Sequence, residues 1–424
     1  MDFLTFHNTI DGKLTNTTQT RHSINPSTGQ PNPPVPLTTN IELDEAVAAA
    51  KKAQKTWSRT SLTERRTIFN AFADALESYK SEFVDLLIAE QGKANFLAQD
   101  EFARSVAMIR QTAELTLTEE VVEETDIMVA RVRYVPIGVG CGLVPWNYPL
   151  LLATGKLAPA LWAGNAMIIK PSPDTPYCGL KLVELGNKFF SSGTFTGSIE
   201  TGKRVMESCA GTLKRVTLEL GGNDSCIVCE DVDIENVVPQ IAQLAFINSG
   251  QICMNIKRIY VHADIYDQFL SGLVSYVSNL KVGGGADPTN FVGPLQNKAQ
   301  LEKVQGFYDD IEKNGLKVAL GGSNESIQKN DKLNKGYFAL PTIIDNPPDS
   351  ERIVQLEPFG PIVPVLKWTG SDEEIVDRVN DGLTGLGSSV WSKDITRAEK
   401  MARELQAGSV WVNTHFRSFR GVQE

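Results

Sequence analysis

Cys253 is the side chain whose type and setting point most directly to chemistry. It stands in "NSGQICMN" (248–255), between small residues and amide side chains. A cysteine thiolate is a strong nucleophile and forms covalent adducts with carbonyl carbons. Cysteines are also among the most buried residue types, so a lone one is more often a core thiol than a catalyst. The octapeptide alone therefore leaves open a nucleophile, a buried thiol and one half of an oxidised pair.

Glu219 is the second residue with possible chemistry. It lies in "VTLELGG" (216–222), where apolar and polar residues alternate and two glycines follow the glutamate closely. The alternation predicts a strand, and a carboxylate is costly inside a buried strand. The glycines allow another group to approach the backbone. The stretch predicts either a base held at a strand end or an edge strand whose carboxylate faces water.

Two proline-flanked segments each hold polar or aromatic side chains in a stiff backbone. "VPWNYP" (144–149) places Asn147 between two aromatic residues. Its carboxamide could donate to an oxyanion, although asparagines are also common in turns. "LEPFGP" (356–361) holds Glu357 and Phe359 in the same way.

Two further segments have the composition of phosphate or ribose contacts. In "KPS" (170–172), Lys170 ends an apolar run, and its ammonium could donate to ribose hydroxyls or to a phosphate. In "FTGSIETGK" (195–203), Gly197 and Ser198 lead into a predicted helix. The free N–H groups and the dipole of such a helix start can bind a pyrophosphate. As a bare pattern this second segment is weak.

Cys226 and Cys229 form a C-x-x-C pair in "NDSCIVCEDVD". Such a pair could bind metal or perform redox chemistry, but no second pair and no histidine at ligand-like spacing accompany it. The stretch reads as a strand with Cys226 and Val228 on one face. We therefore interpret the pair as structural.

The elements that would position these side chains follow from hydrophobic periodicity. Helical spacing extends over 43–92, where Ser61 and Glu64 predict a capping box, and a further helix covers about 95–118. Strand-like alternation follows over 126–144. From 137 to 221 strands alternate with helices, and "KRVTLELGG" (214–222) is predicted as a strand of this series. That order predicts an α/β fold with ligands at the carboxyl ends of strands. Later helices are predicted near 234–247, 264–279, 296–313, 372–380 and 394–406.

Composition limits the class of protein. The chain has 424 residues, enough for two or three domains, and 42% of them are hydrophobic. A formal net charge of −10 argues against nucleic acid as a partner. No apolar run is long enough to span a membrane, and the first residues do not form a signal peptide. The expected location is the cytosol.

Taken together and in this order, "PWNYP", "KPS", "FTGS", "LELGG", "GQ-x-C" and "EPFGP" resemble the motifs of the aldehyde dehydrogenase superfamily, over about residues 5 to 415. The resemblance implies that Cys253 is the nucleophile and Glu219 the base that activates water. It implies that the Asn147 amide and the Cys253 backbone N–H stabilise the tetrahedral oxyanion. The implied reaction is oxidation of a small-molecule aldehyde to a carboxylic acid with NAD, or NADP, through a thiohemiacetal and a thioester, without a metal.

The same resemblance implies the remaining site residues and the domains. Expected cofactor contacts are Val144, Pro145, Trp146, Lys170, Gly197, Ser198, Gly202, Leu220, Glu357 and Phe359. Expected domains are a Rossmann-type cofactor domain (1–117 and 137–221), an oligomerisation ribbon (118–136), an α/β catalytic domain (222–415) and a divergent tail (416–424). Residues expected at the substrate tunnel, Trp146, Ile252, Met254 and Phe416, are apolar.

Three departures from the family pattern affect these expectations. Pro173 stands where the family commonly has an acidic residue that binds the adenosine ribose, which weakens the preference for NAD over NADP. Residues 190–194 are too few for the strand and helix that the family has there, so one of each is expected to be missing. The chain also lacks the last strand through which family members join subunits, which argues against the family's homo-oligomer.

These departures keep two other functions open. One is a catalytically impaired or non-catalytic relative that acts only by binding. The other is cofactor-independent ester hydrolysis by the same thiolate, which would survive damage to the cofactor domain.

Overall fold

The computed structural model describes residues 1–189, 199–331 and 333–416, without the side chains of 199–202 and 326. These residues divide into two compact units. The first unit comprises 1–25, 30–91 and 95–220, and the second comprises 26–29, 92–94 and everything described from 221 onward. The division into functional domains given above remains a prediction, and so does the absence of a strand and helix near 190–194, which lies outside the described residues.

The first unit is built from helices around short strands. Its helices are α1 (Asn40–Trp57), α2 (Leu62–Glu77), α3 (Lys80–Gln91), α4 (Asn95–Thr112), α5 (Pro149–Trp162), α6 (Tyr177–Gly186) and α7 (Ile199–Ala210). Its strands are β1 (Asn8–Ile10), β2 (Lys13–Thr15), β3 (Thr20–Ile24), β4 (Pro31–Pro36), β5 (Glu120–Thr125), β6 (Met128–Val132), β7 (Val139–Leu143) and β8 (Ala166–Lys170).

Local signals in the sequence fix several of these boundaries. The predicted capping box is confirmed, because the Ser61 side chain accepts from the Glu64 N–H while the Glu64 carboxylate accepts from the Ser61 N–H. The helical stretch 61–92 forms two helices, since α2 ends at Glu77 and α3 begins at Lys80. The helix predicted over 95–118 ends earlier, at Thr112.

The site-bearing part of the first unit is the parallel pair β7–β8. The two strands run in register, with Leu143 opposite Lys170, and the Val144 N–H donates to the Lys170 carbonyl at 2.9 Å. Helices α4 and α5 pack beside each other around a core that includes Phe102, Leu150 and Leu157. The carboxyl ends of β7 and β8 therefore reach the same edge of the sheet.

The prediction of a strand over 214–222 is wrong, because these residues form no strand in the structure. Alternation of apolar and polar residues is a local signal, whereas a strand also needs a neighbour for its N–H and C=O groups. Among the described residues, β7 and β8 pair only with each other. The segment that carries Glu219 is therefore not a sheet strand in the described part of the chain, and the role of Glu219 as a base remains a prediction.

The predicted ribbon contains the antiparallel hairpin β5–β6, with an irregularity between Val121 and Glu123. The alternation predicted from Met128 to Tyr134 does not appear as alternating burial, because all but one of the β6 side chains are exposed and Tyr134 is 75% exposed. Its role in oligomerisation remains a prediction.

The second unit is built around a predominantly parallel sheet. Its strands are β9 (Ser225–Val228), β10 (Arg258–His262), β11 (Val318–Leu320), β12 (Thr342–Asp345), β13 (Ile362–Trp368), β14 (Gly387–Trp391) and β15 (Ser409–Val412). Its helices are α8 (Ile234–Phe246), α9 (Tyr266–Ser278), α10 (Lys298–Lys313), α11 (Glu325–Gln328), α12 (Arg352–Gln355), α13 (Asp372–Asn380) and α14 (Ile395–Glu404). Within the described residues the strand order is β11-β12-β13-β10-β9-β14-β15, and only the β11–β12 pair is antiparallel.

The C-x-x-C stretch lies in and just after the central strand β9. Cys226 and Val228 belong to the core on one side of the sheet, whereas Ile227 and Cys229 belong to the core on the other side, which confirms the predicted strand and its faces. Burial raises the pKa of both thiols, that of Cys229 to about 12. Both groups therefore remain neutral core side chains near pH 7.

The described ranges contain neither a membrane-spanning helix nor a cluster of metal-ligating side chains. None of their helices is both long and apolar enough to cross a bilayer. The same ranges contain no cluster of three or more histidine, cysteine, aspartate or glutamate side chains that could hold a metal ion.

Candidate active site

The turn before Cys253 has an uncommon backbone. Asn248, Ser249 and Gly250 are consecutive residues with left-handed φ angles of 52°, 56° and 73°. L-residues other than glycine seldom adopt this conformation, and it persists where surrounding contacts impose it. A Cβ on Gly250 would lie 2.1 Å from the Gly360 carbonyl oxygen, so only glycine fits. The "NSG" signal is thus a tight turn that leads into the cysteine.

Buried side chains hold this turn in place. The Ser249 hydroxyl donates to the Gly293 carbonyl at 2.8 Å, and the Gln251 amide nitrogen donates to the Pro294 carbonyl at 3.2 Å. The Gln251 amide oxygen accepts from the Gln296 N–H at 2.9 Å. Each of these contacts joins residues more than 40 positions apart, so the tertiary structure holds the turn in addition to the local bonds between Asn248 and Gln251.

The loop that carries Cys253 is held by its carbonyl groups. Lys257 Nζ donates to the carbonyls of Ile252 (2.9 Å), Cys253 (2.5 Å) and Asn255 (3.3 Å). His415 Nε2 lies 3.0 Å from the Met254 carbonyl and donates to it. Four successive carbonyls therefore accept hydrogen bonds from side chains that are themselves buried.

Glu357 lies beside the same lysine. Its Oε1 is 3.1 Å from Lys257 Nζ, and 23% of its side chain is exposed. Burial raises the pKa of the Glu357 carboxyl, while the Lys257 charge acts in the opposite direction. A Cβ on Gly221, whose φ is +89°, would lie 3.1 Å from Glu357 Oε2. The structure thus brings Cys253 and Glu357 together through Lys257, and the glycine leaves room beside the carboxylate.

Phe359, two residues further on, also has a left-handed φ, of 50°. The Gln300 amide nitrogen donates to the carbonyls of Pro358 and Phe359, at 2.9 Å each. The stiffness predicted from the prolines of "LEPFGP" is therefore reinforced by a side chain on α10. This rigid segment also supplies the Gly360 carbonyl that packs against the cysteine turn.

In the first unit, Asn147 lies just before α5 and is buried, with 6% of its surface exposed. The helix begins with proline, and its N-cap residue, Tyr148, makes no side-chain capping bond. Instead, Glu101 on α4 accepts from the N–H groups of Leu150 (2.9 Å) and Leu151 (3.1 Å). A carboxylate at a helix N-terminus accepts hydrogen bonds from the free N–H groups and interacts favourably with the helix dipole. This cap from another helix fixes the start of α5 and with it the backbone position of Asn147, two residues before the helix.

The segment before Asn147 follows directly from β7. Val144 is buried, while Pro145 and Trp146 are partly exposed. Since Val144 is bonded to the backbone of Lys170, the expected cofactor contacts on these two strands lie beside each other. In open α/β sheets this edge is where ligands bind.

Lys170 stands at the wall of a cavity of about 630 Å³, lined mainly by apolar residues of α1, α6, β1, β7 and β8. Its Nζ donates to the Pro171 carbonyl at 3.2 Å. Partial desolvation lowers the pKa of Lys170, and the positive charge of Arg21 lowers it further. Asp174, one residue beyond the proline noted in the sequence, interacts electrostatically with both cations. The volume is within the range of small-molecule sites.

Glu219 and Leu220 are half-buried at the end of the first unit. Burial lowers the pKa of Lys156 on α5, and the negative charge of Glu219 partly offsets this. The carboxylate is therefore close enough to influence a helix that begins beside Asn147. Gly202 lies in α7, and the expected contacts Gly197 and Ser198 lie outside the described residues.

Sequence reasoning missed the residues that hold the site. Lys257, in "NIKRIYVH", is a lysine at the start of a buried strand, and that position is a signal for a partnered cation. Gln251 precedes the cysteine by two residues, and the sequence indicates it only as part of the GQ-x-C motif. Glu101 and His415 gave no local signal, because their roles depend on contacts with distant segments.

Comparisons with known proteins show the family to which the chain belongs. The profile of the aldehyde dehydrogenase family matches residues 14–193 and 187–422. The two matches overlap over residues 187–193, beside the place where the sequence predicts a missing strand and helix. Aldehyde dehydrogenase LUC3 from Fusarium sp is 36% identical over 437 residues, which cover 97% of this chain and 91% of that protein. Human 2-aminomuconic semialdehyde dehydrogenase is 34% identical, with 97% and 90% covered.

Solved structures show the same fold. PnpE in complex with nicotinamide adenine dinucleotide superposes with a TM-score of 0.93 at 32% identity, covering 98% of this chain and 90% of that one. Betaine aldehyde dehydrogenase from Staphylococcus aureus in complex with NAD+ gives a TM-score of 0.92 at 30% identity, with 98% and 88% covered. The chain has the aldehyde dehydrogenase fold and belongs to the aldehyde dehydrogenase family.

Proposed function

We propose that this protein oxidises a small-molecule aldehyde to the carboxylic acid with NAD+ or NADP+, through a covalent adduct on Cys253. The observation that carries the proposal is the loop at 252–255, where buried side chains bind four successive carbonyls around a cysteine that matches the family nucleophile. Such preorganisation is what an acyl-transfer site requires. The apolar residues Trp146, Ile252, Met254 and Phe416 favour aliphatic or aromatic aldehydes as substrates.

The first step is attack of the Cys253 thiolate on the aldehyde carbon. A C–S bond forms, and the π electrons of the carbonyl move onto its oxygen, which gives a tetrahedral oxyanion. We propose the Asn147 amide and the Cys253 backbone N–H as its hydrogen-bond donors. Loss of one such donor typically costs about 3–4 kcal/mol of transition-state stabilisation. The proline start of α5 and its cap by Glu101 support the assignment of Asn147, because they hold its backbone rigid.

The residues present fit a dinucleotide. Lys170 and residues 144–146 lie at the carboxyl ends of two parallel strands, and Glu357 has a partly exposed carboxylate next to a glycine. Lys170, Gly197, Ser198 and Gly202 would hold the adenosine and phosphate groups, together with Val144, Pro145 and Trp146. Leu220, Phe359 and Glu357 would hold the nicotinamide end, with Glu357 at its ribose. A bound nicotinamide would supply the acceptor for the hydride that leaves the carbon bonded to Cys253, and a thioester would remain on the cysteine.

Glu219 is proposed as the base for the last step. Its carboxylate takes a proton from water, the hydroxide oxygen bonds to the thioester carbon, and the C–S bond breaks with its electron pair on sulfur. The products are the carboxylic acid and the free thiolate. The half-buried position of Glu219 supports access for water.

Two measurements test the proposal. Titration with NADH or NADPH, followed by nicotinamide fluorescence, reports whether the cofactor binds. Production of reduced cofactor from aliphatic and aromatic aldehydes reports oxidation, with Cys253→Ser as the control. A chain that binds neither dinucleotide, or a serine variant with undiminished turnover, would refute the proposal.

Cofactor-independent ester hydrolysis is a second candidate. It is favoured by the location of the side chains described above that bind the carbonyls of 252–255, Lys257 and His415, which belong to the second unit. A defect confined to β7–β8 would leave them intact. Release of nitrophenolate from p-nitrophenyl acetate without any nucleotide, and its loss in Cys253→Ser, would establish this activity.

A further inference from the structure

The buried ammonium of Lys257 lies near more oxygen acceptors than it has N–H donors. Its side chain is 3% exposed, and four oxygen atoms lie within 3.3 Å of Nζ: three loop carbonyls and Glu357 Oε1. An ammonium has three donors, so all of them are used. Removing a charge from water is costly, and a buried charge is stable only where its partners are well placed. The partners here are the peptide groups on both sides of the cysteine.

The peptide between Ile252 and Cys253 connects the lysine to the reacting atoms. In a trans peptide the C=O and N–H bonds point in opposite directions and lie in one plane. Fixing the Ile252 carbonyl on Nζ at 2.9 Å therefore fixes the direction of the Cys253 N–H. A positive charge at the oxygen also draws electron density from the N–H, which strengthens it as a donor.

We propose that Lys257 is a positioning residue that orients and polarises the Cys253 backbone N–H for stabilisation of the oxyanion. This inference rests on the proposed role of Cys253 as nucleophile. The bond to the Cys253 carbonyl fixes the next peptide as well, and His415 holds the Met254 carbonyl, so that the loop cannot rotate. Glu357 is the counter-ion of the lysine.

The proposed role of Lys257 predicts different effects on two reactions of Cys253, ester hydrolysis and alkylation. Attack on an ester carbonyl forms a C–S bond and an oxyanion, which collapses with loss of the alcohol to a thioester that water then hydrolyses. Alkylation by iodoacetamide forms a C–S bond with loss of iodide and develops no oxyanion. A residue that acts through the N–H must affect the first reaction and spare the second.

The experiment compares Lys257→Met with Lys303→Met in the full chain without nucleotide. Lys303 lies on α10 within electrostatic reach of Glu357, and in the described part of the chain it makes no hydrogen bond to the 252–255 carbonyls. We expect Lys257→Met to slow hydrolysis of p-nitrophenyl acetate at least about tenfold, since complete loss of an oxyanion donor costs about 10²–10³-fold. Alkylation of Cys253 should change less than about threefold, and Lys303→Met should leave both rates unchanged.

Equal losses in both reactions would overturn the inference, because they indicate collapse of the loop or a weaker thiolate. Unchanged ester hydrolysis in Lys257→Met would overturn it too. If that variant does not fold, the ratio of the two rates in Lys257→Gln, which removes the charge but keeps an N–H donor group, decides the question in the same way. Wild-type chain without Cys253-dependent ester hydrolysis also counts against the inference. Ester hydrolysis without aldehyde oxidation refutes only the proposed dehydrogenase function.

Discussion

Replacement of Glu90 by glutamine should change how the stability of the protein varies with pH. Glu90 is fully buried on α3, and its two carboxylate oxygens accept from the N–H groups of Tyr177 (2.7 Å) and Cys178 (3.1 Å). These N–H groups open α6, whose own N-cap residue makes no side-chain capping bond. Burial raises the pKa of Glu90 from 4.5 to about 7, against the opposing effect of the hydrogen bonds.

The sign follows from proton linkage. Below about pH 4.5 the carboxyl is protonated in both the folded and the unfolded chain. The protonated Glu90 then makes its full contribution to the free energy of unfolding. Between pH 4.5 and about 7 the unfolded chain releases the proton while the folded chain retains it, so the free energy of unfolding falls as pH rises. The difference between the two pKa values corresponds to about 3 kcal/mol, at about 1.36 kcal/mol for each pKa unit.

Urea unfolding of the wild type and Glu90→Gln between about pH 5 and pH 8 measures this difference. Glutamine cannot ionise, so the variant should gain about 3 kcal/mol relative to the wild type over this range, whatever constant offset its altered cap introduces. Glu64→Gln is the control, since bonds to Ser61 lower the pKa of Glu64 and its effect is confined to acid. Parallel pH profiles for the wild type and Glu90→Gln would refute the assignment.

Three further substitutions test the site. Cys253→Ser should abolish aldehyde oxidation and leave cofactor affinity nearly unchanged, because a hydroxyl forms little anion near pH 7; fluorescence titration and turnover check both. Glu219→Gln should give a normal NADH burst and a slow steady state in single-turnover kinetics, and a lost burst would contradict its role as the base. Gly250→Ala should destabilise the second unit by roughly 2–5 kcal/mol in denaturant unfolding, since its Cβ would meet the Gly360 carbonyl.

Features encoded within a few residues could be predicted from the sequence. The Ser61–Glu64 capping box was found because both partners lie in one helical turn. The faces of β9 were found because strand periodicity is local and Cys226 and Val228 share it. Family motifs gave Cys253, Asn147 and Glu357, and the structure places each of them where neighbouring groups hold the backbone.

Features that depend on distant partners could not be predicted. The alternation in 214–222 indicated a strand, but pairing depends on a neighbour that the described residues do not provide. Lys257 lies four residues from Cys253, yet its role becomes visible only with Glu357, which is 100 positions further along the chain. The caps by Glu90 and Glu101 likewise join helices that no short pattern relates.

The order of strands in the second unit has a consequence for folding kinetics. Central strand β9 pairs on one side with β10 and on the other with β14, where Ser225 and Ser388 are opposite each other although 163 residues separate them. Closing a loop of that length costs about 4–5 kcal/mol of chain entropy, compared with about 3 kcal/mol for the β9–β10 connection. The β9–β10 pair should therefore form first and leave the other edge of β9, whose four residues are all buried in the folded protein, open until β14 pairs with it. During that interval the edge can pair with another chain, so we expect refolding to be slow and its yield to fall as protein concentration rises.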